Sequence, residues 1–109
     1  MLEVTFTRDS RNRLSSIFAN GHAGWADSGE DIVCAAVSAI LQAARLGLEE
    51  HANIPLEVDQ RAGVLRLQWG EPAREREDVC AIVATAELSV RAIAAQYPDH
   101  VRYIAKPEA

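Results

Sequence analysis

The sequence predicts an α+β fold of the two-layer α/β sandwich type, a mainly antiparallel sheet packed against two helices. Three observations predict it. Alternating apolar and polar residues mark strands near both ends and in the middle of the chain. Two longer stretches repeat apolar residues every three or four positions, the period of a helix with one buried face. Clusters of turn formers then split the strands into hairpins, giving the order strand, strand, helix, strand, strand, helix, strand. With 109 residues, 49% of them hydrophobic, the chain is expected to form one domain over 1–109 with a modest core.

The elements follow in order. Leu2 to Thr7 alternates, with Leu2, Val4 and Phe6 on one side and Glu3, Thr5 and Thr7 on the other. Asp9-Ser10-Arg11-Asn12 supplies a turn, and Arg13 to His22 resumes extended character with Leu14 and Phe18 in register, so the two segments read as a hairpin. His22 falls at the far end of its second strand. Ala23 to Glu30 holds two glycines and no apolar period, which predicts an exposed, mobile loop.

Asp31 is a good N-cap for a helix running to about Glu50, with Val33, Ala36, Val37, Ile40, Leu41, Ala44 and Leu48 on its apolar face. Pro55 closes that region. Leu56-Glu57-Val58 and Gly63 to Trp69 form a second hairpin around Asp59 to Ala62. Glu71 to Asp78, charged and containing Pro72, has a helix-entry composition, and Val79, Ile82, Val83, Ala86, Val90, Ile93, Ala94 and Tyr97 mark the face of a second helix ending before Pro98. Val101 to Ile104 adds a short last strand, and Lys106 to Ala109 is expected to fray.

Composition narrows the function. A net charge of -5 and a pI near 5.1 argue against direct binding of nucleic acid and favour basic polypeptide partners. Nowhere is an apolar run expected to approach the ~20 residues that cross a bilayer, and the N-terminus opens on an alternating strand pattern instead of a basic-then-apolar leader, so the expected location is the cytoplasm, away from membrane. Its two cysteines, Cys34 and Cys80, are expected to stay reduced in a chain apolar enough not to need a disulfide. The spacing of cysteines and histidines fits no zinc pattern, and Gly21, Gly24 and Gly29 fit no nucleotide-binding loop, so no metal or cofactor is expected.

The candidate chemistry centres on Cys34. With Asp31 as N-cap, Cys34 takes the third helical position, where free N–H groups and the positive end of the helix dipole favour thiolate. The Asp31 carboxylate would oppose this. On a helical wheel Asp31, Cys34 and Ser38 share one polar edge, and Ala35, Ala36 and Ala39 keep the helix slim enough for close approach. By spacing alone, a cysteine at the edge of an amphipathic helix is more often a small buried hydrophobe, and a strand-end histidine is more often simply polar. Cys80 reads as a structural residue bordering the second helix's apolar stripe, and His51 and His100 are given no catalytic role.

The stretch Gly21-His22-Ala23-Gly24, followed by Gly29-Glu30-Asp31-Ile32-Val33-Cys34-Ala35-Ala36-Val37-Ser38-Ala39, resembles the signature of the ribosomal-processing cysteine protease family Prp, also called YsxB-like. Trp25 stands at a loop position where an aromatic is expected. The resemblance implies a catalytic dyad of His22 and Cys34, with Gly21, Asp31 and Ser38 in supporting or substrate-binding positions. It also implies a homodimer that removes a short N-terminal extension from a large-subunit ribosomal protein, the twenty-seventh in the usual numbering. Two other functions compete: a noncatalytic dimeric adaptor for a ribosomal or other basic protein, which has no need of a reactive Cys34, and a thiol redox sensor with Cys80 as its sole candidate resolving thiol.

Overall fold

The computed structural model describes residues 1–21 and 28–108, with the backbone alone for 28–31. Its elements are β1 (Leu2–Arg8), β2 (Leu14–Asn20), α1 (Ser28–Leu46), β3 (Glu57–Arg61), β4 (Val64–Gln68), α2 (Glu77–Gln96) and β5 (Val101–Pro107). A wider π-type turn over Gly47–His51 prolongs α1, and a single 3-10 turn at Ala73–Glu75 leads into α2.

The five strands form one sheet in the order β3-β4-β2-β1-β5. Three pairings are antiparallel, β1 with β2, β2 with β4, and β3 with β4. The fourth, β1 with β5, is parallel, because a crossover through α2 brings the chain back in the direction of β1. This is the expected α+β sandwich with its mainly antiparallel sheet.

Alternation determines which sheet face the helices cover. Leu2, Val4 and Phe6 of β1, Ile17 and Ala19 of β2, and Leu65 and Leu67 of β4 are all buried. Against them pack Val33, Val37 and Leu41 of α1, Leu48 just beyond it, and Val79, Val83 and Val90 of α2. Each fully buried aliphatic or aromatic side chain of this kind contributes about 1.5–3 kcal/mol through removal from water.

Several sequence expectations change, among them the last strand, which pairs with β1 through Lys106 and Pro107 where fraying was expected. In β2 the core-facing residues are Ser15, Ile17 and Ala19, whereas Leu14 and Phe18, expected to be in register with the core, are only half-buried. A one-residue change of phase turns every side chain of a strand over, and an irregularity between Thr7 and Arg8, where Arg8 pairs with Leu14, accommodates it. Phe18 instead lies under the Arg66 guanidinium, 4.6 Å from its ring centre, on the sheet's other face. The second hairpin turns through Ala62 and Gly63 alone, with Gly63 at φ 76°, so Asp59 to Arg61 belong to β3. Cys80 is exposed, and its thiol donates to the Arg74 carbonyl at 3.4 Å, so it contributes nothing to the α2 core face. Ile32–His51 is, by length and a mean hydropathy of 1.5, apolar enough to span a bilayer, contrary to the expectation that no such run exists. Here its buried Val33, Val37, Leu41, Ala44 and Leu48 form one face of the helical layer.

The largest revision concerns the start of α1. The helix begins at Ser28, so Asp31 is its fourth residue and not its N-cap, and Cys34 is the seventh and not the third. The segment Ala23 to Glu30, expected to be an open loop, therefore ends in helix; positions 22–27, including His22 and most of that loop, lie outside the described residues.

Candidate active site

Cys34 is half-buried on the flank of α1, and its thiol is free. As the seventh helical residue it sits past the four N–H groups that a helix start leaves unpaired, and beyond the first turn where the dipole is strongest. The expectation that a helix start at Asp31 favours the Cys34 thiolate is thereby corrected, and its N–H is no ready oxyanion donor either. Ser38, one turn further on, is exposed on the same flank.

Both residues open onto a cleft of about 180 Å³ between α1 and the β2–β4–β3 side of the sheet. Leu2, Ala19, Val37, Leu41 and Leu65 give it an apolar floor, while Gln42, Gln60 and Arg61 supply polar groups at its walls. An apolar recess with a few polar groups and a nucleophile at its side is the usual form of a small-ligand or peptide site.

Gly21 lines the same cleft. Its φ of 109° is open to glycine but strained for other residues, and a Cβ built there would overlap the Met1 carbonyl oxygen. Its N–H donates to the Gly63 carbonyl at 3.0 Å, tying the end of β2 to the β3–β4 turn. The chain therefore leaves for position 22 from the cleft wall itself, in a conformation that requires glycine. Of the predicted site residues, the structure brings Gly21, Cys34 and Ser38 to one cleft. It puts the Asp31 backbone one turn before Cys34, and His22 falls outside the described residues.

The sequence reading missed Gln42, on the same wall as Cys34, and the opposite wall, formed by Gln60 and Arg61. Gln42 had a signal, since it continues the four-residue step from Cys34 and Ser38. Gln60 and Arg61 had none, because only strand pairing decides that β3 lies beside α1. Among the described residues, no three His, Cys, Asp or Glu side chains cluster as a metal would require.

The family model described as Cysteine protease Prp matches residues 1–102. Among solved structures, SMU.848 from Streptococcus mutans aligns with a TM-score of 0.85 at 28% identity, covering 99% of this chain and 96% of that one. Two structures of the essential ribosomal processing protease Prp from S. aureus share the fold. One, with a substrate peptide, has a TM-score of 0.87 at 20% identity, and the other, with a covalently linked product peptide, 0.85 at 21%. Each is covered completely by 97% of this chain. No curated protein matches the sequence.

Proposed function

Because the chain belongs to the cysteine protease Prp family, we propose that it is a cysteine endopeptidase in which Cys34 is the nucleophile and His22 its acid/base partner. The observation that carries this reading is Cys34 itself, a free, half-buried thiol at the side of an apolar cleft in a chain matched over residues 1–102 by that family. His22 takes the thiol proton, and the thiolate attacks the scissile carbonyl. The tetrahedral intermediate then collapses with cleavage of the C–N bond, and His22 returns the proton to the departing amine. Water, deprotonated by His22, hydrolyses the thioester and restores the thiol. Gly21 sets the approach of the chain to His22, Ser38 orients the bound peptide beside the sulfur, and Asp31 supports the site from the preceding turn of α1.

The S. aureus proteins bound to substrate and product peptides are ribosomal processing proteases, which supports a ribosomal protein as the substrate here. We take the substrate to be the N-terminal extension of the twenty-seventh large-subunit protein, processed in the cytoplasm by a homodimer without a cofactor. The test is mass spectrometry of that protein, with its native extension, after incubation with the chain. Removal of the extension by the unaltered protein, and none by Cys34→Ala, is the expected result. Full cleavage by Cys34→Ala would overturn the mechanism. Light scattering at micromolar concentration tests the dimer, and a monomeric mass would remove it.

A further inference from the structure

Cys34 begins a polar flank on α1 that runs through Ser38 and Gln42 to Arg45 and, past the helix end, Glu49, in steps of four, four, three and four residues. That spacing keeps side chains on one side of a helix. The wall facing this flank is β3, an edge strand, and its Gln60 lines the same cleft as Cys34, Ser38 and Gln42.

Gln60 is held from α1. Arg45 Nη1 donates to Gln60 Oε1 at 2.6 Å, and Arg45 Nε donates to Glu49 Oε1 at 2.5 Å. A guanidinium has donors and no acceptor, so the end of the Gln60 amide that meets it must be the oxygen. The NH2 end then points away from Arg45 with two N–H donors, which have no partner among the described residues. The cleft floor is apolar and suits substrate side chains, whereas the main chain of an extended peptide needs donors for its carbonyls.

We propose that Gln60 is a substrate-binding residue that donates through Nε2 to a main-chain carbonyl of the bound peptide. Arg45, braced by Glu49, is a positioning residue that fixes the amide orientation. This rests on the peptidase reading above. Eight residues of helix separate Cys34 from Gln42 at the Gln60 end, roughly 12 Å along the axis. An extended peptide rises about 3.3 Å per residue, so the carbonyl bound by Gln60 lies about three or four residues from the scissile bond.

The experiment is steady-state cleavage of a synthetic peptide carrying the native extension of the ribosomal protein, by the unaltered chain and by Gln60→Glu, Gln60→Ala and Arg45→Ala. Gln60→Glu isolates the donor, because its carboxylate still accepts from Arg45 but has no N–H to offer. The expected result is a KM raised about three- to tenfold in Gln60→Glu and Gln60→Ala, with kcat little changed. Arg45→Ala should give a smaller rise, through a freely rotating amide. Peptides shortened from each end in turn should include one that the unaltered chain cleaves and that no longer distinguishes Gln60→Glu from it. Urea melts of the variants separate binding from folding. An unmoved KM in Gln60→Glu, with cleavage by the unaltered chain intact, overturns this inference alone. No cleavage by the unaltered chain overturns the peptidase reading and this inference with it.

Discussion

Arg8 on β1 and Glu87 on α2 are joined by two parallel hydrogen bonds, Nη1 to Oε2 at 2.8 Å and Nη2 to Oε1 at 2.7 Å. The Tyr103 hydroxyl of β5 donates to Oε2 as well, at 2.9 Å. Glu87 is 6% exposed in the middle of the α2 core face, so this carboxylate is the one charge buried there among the described residues. Arg8 is more open, its side chain 31% exposed, which moderates the pair's strength. Arg8→Ala leaves the buried Glu87 without its cation and with only the Tyr103 hydroxyl of these partners, and should lower stability by about 1–3 kcal/mol in urea melts. Glu87→Gln, which removes the buried charge and keeps one acceptor oxygen for Arg8 Nη1 and the Tyr103 hydroxyl, should cost less. Equal losses would show that packing of the Arg8 stem, and not the pair, holds the strand to the helix.

Acid should weaken the fold in a defined window. The Arg8 hydrogen bond, with help from Tyr103 and against the effect of burial, holds Glu87 below its ordinary value of 4.5. At the β1–β2 turn burial raises Asp9, but the Arg13 and Arg11 N–H groups and the Arg13 guanidinium outweigh it and bring Asp9 down from 3.8 to about 2. A carboxylate whose folded pKa is depressed adds stability above its unfolded pKa, and that stability is lost as pH falls through the folded value. The urea midpoint should therefore vary little through these two groups near neutrality, and fall from pH about 4.5 down to about 2. In Arg8→Ala the same descent should be shallower, since Glu87 no longer gains on ionising.

Gly21→Ala tests the approach to His22. The added methyl meets the Met1 carbonyl oxygen in a backbone conformation that alanine resists, so either the N-terminus or the turn into position 22 must move. Strain of this kind costs about 1–3 kcal/mol. Peptide cleavage should fall at least about tenfold, since misplacing a catalytic group by about an ångström can cost more than that. Full activity in a folded Gly21→Ala would show that the turn does not position the histidine.

The two cysteines should behave differently. Cys34→Ala should abolish cleavage and still bind the extension peptide, measured by fluorescence anisotropy. Cys80 is exposed and its thiol reaches only the Arg74 carbonyl, so Cys80→Ala should retain activity and shift the melting temperature by no more than a few degrees. Loss of activity in Cys80→Ala would instead point to a paired-thiol chemistry.

The layered fold and the candidate nucleophile were legible in the residues. Period-two and period-3.6 patterns place Val4, Phe6, Val37, Leu41, Val83 and Val90 inside whatever the neighbours are, because burial of an apolar face is a local property of strand or helix. The run Gly21 to Ser38 likewise carries its own resemblance, and the four-residue step from Cys34 to Ser38 puts them on one flank without any tertiary contact. Other features needed the fold. The phase of β2 depends on pairing with β1 and β4, since Leu14 and Phe18 are as apolar as Ile17 and only the sheet register chooses between them. The first turn of α1 extends through Ser28 and Gly29, residues with weak helical preference, so composition alone placed the start four residues late and set Cys34 too near the beginning of the helix. Buried Glu87 is acceptable only because Arg8 and Tyr103 arrive from strands far away in sequence. The wall that Gln60 and Arg61 offer to Cys34 exists because β3 pairs with β4 at the sheet edge beside α1, a relation between distant segments that no local pattern contains.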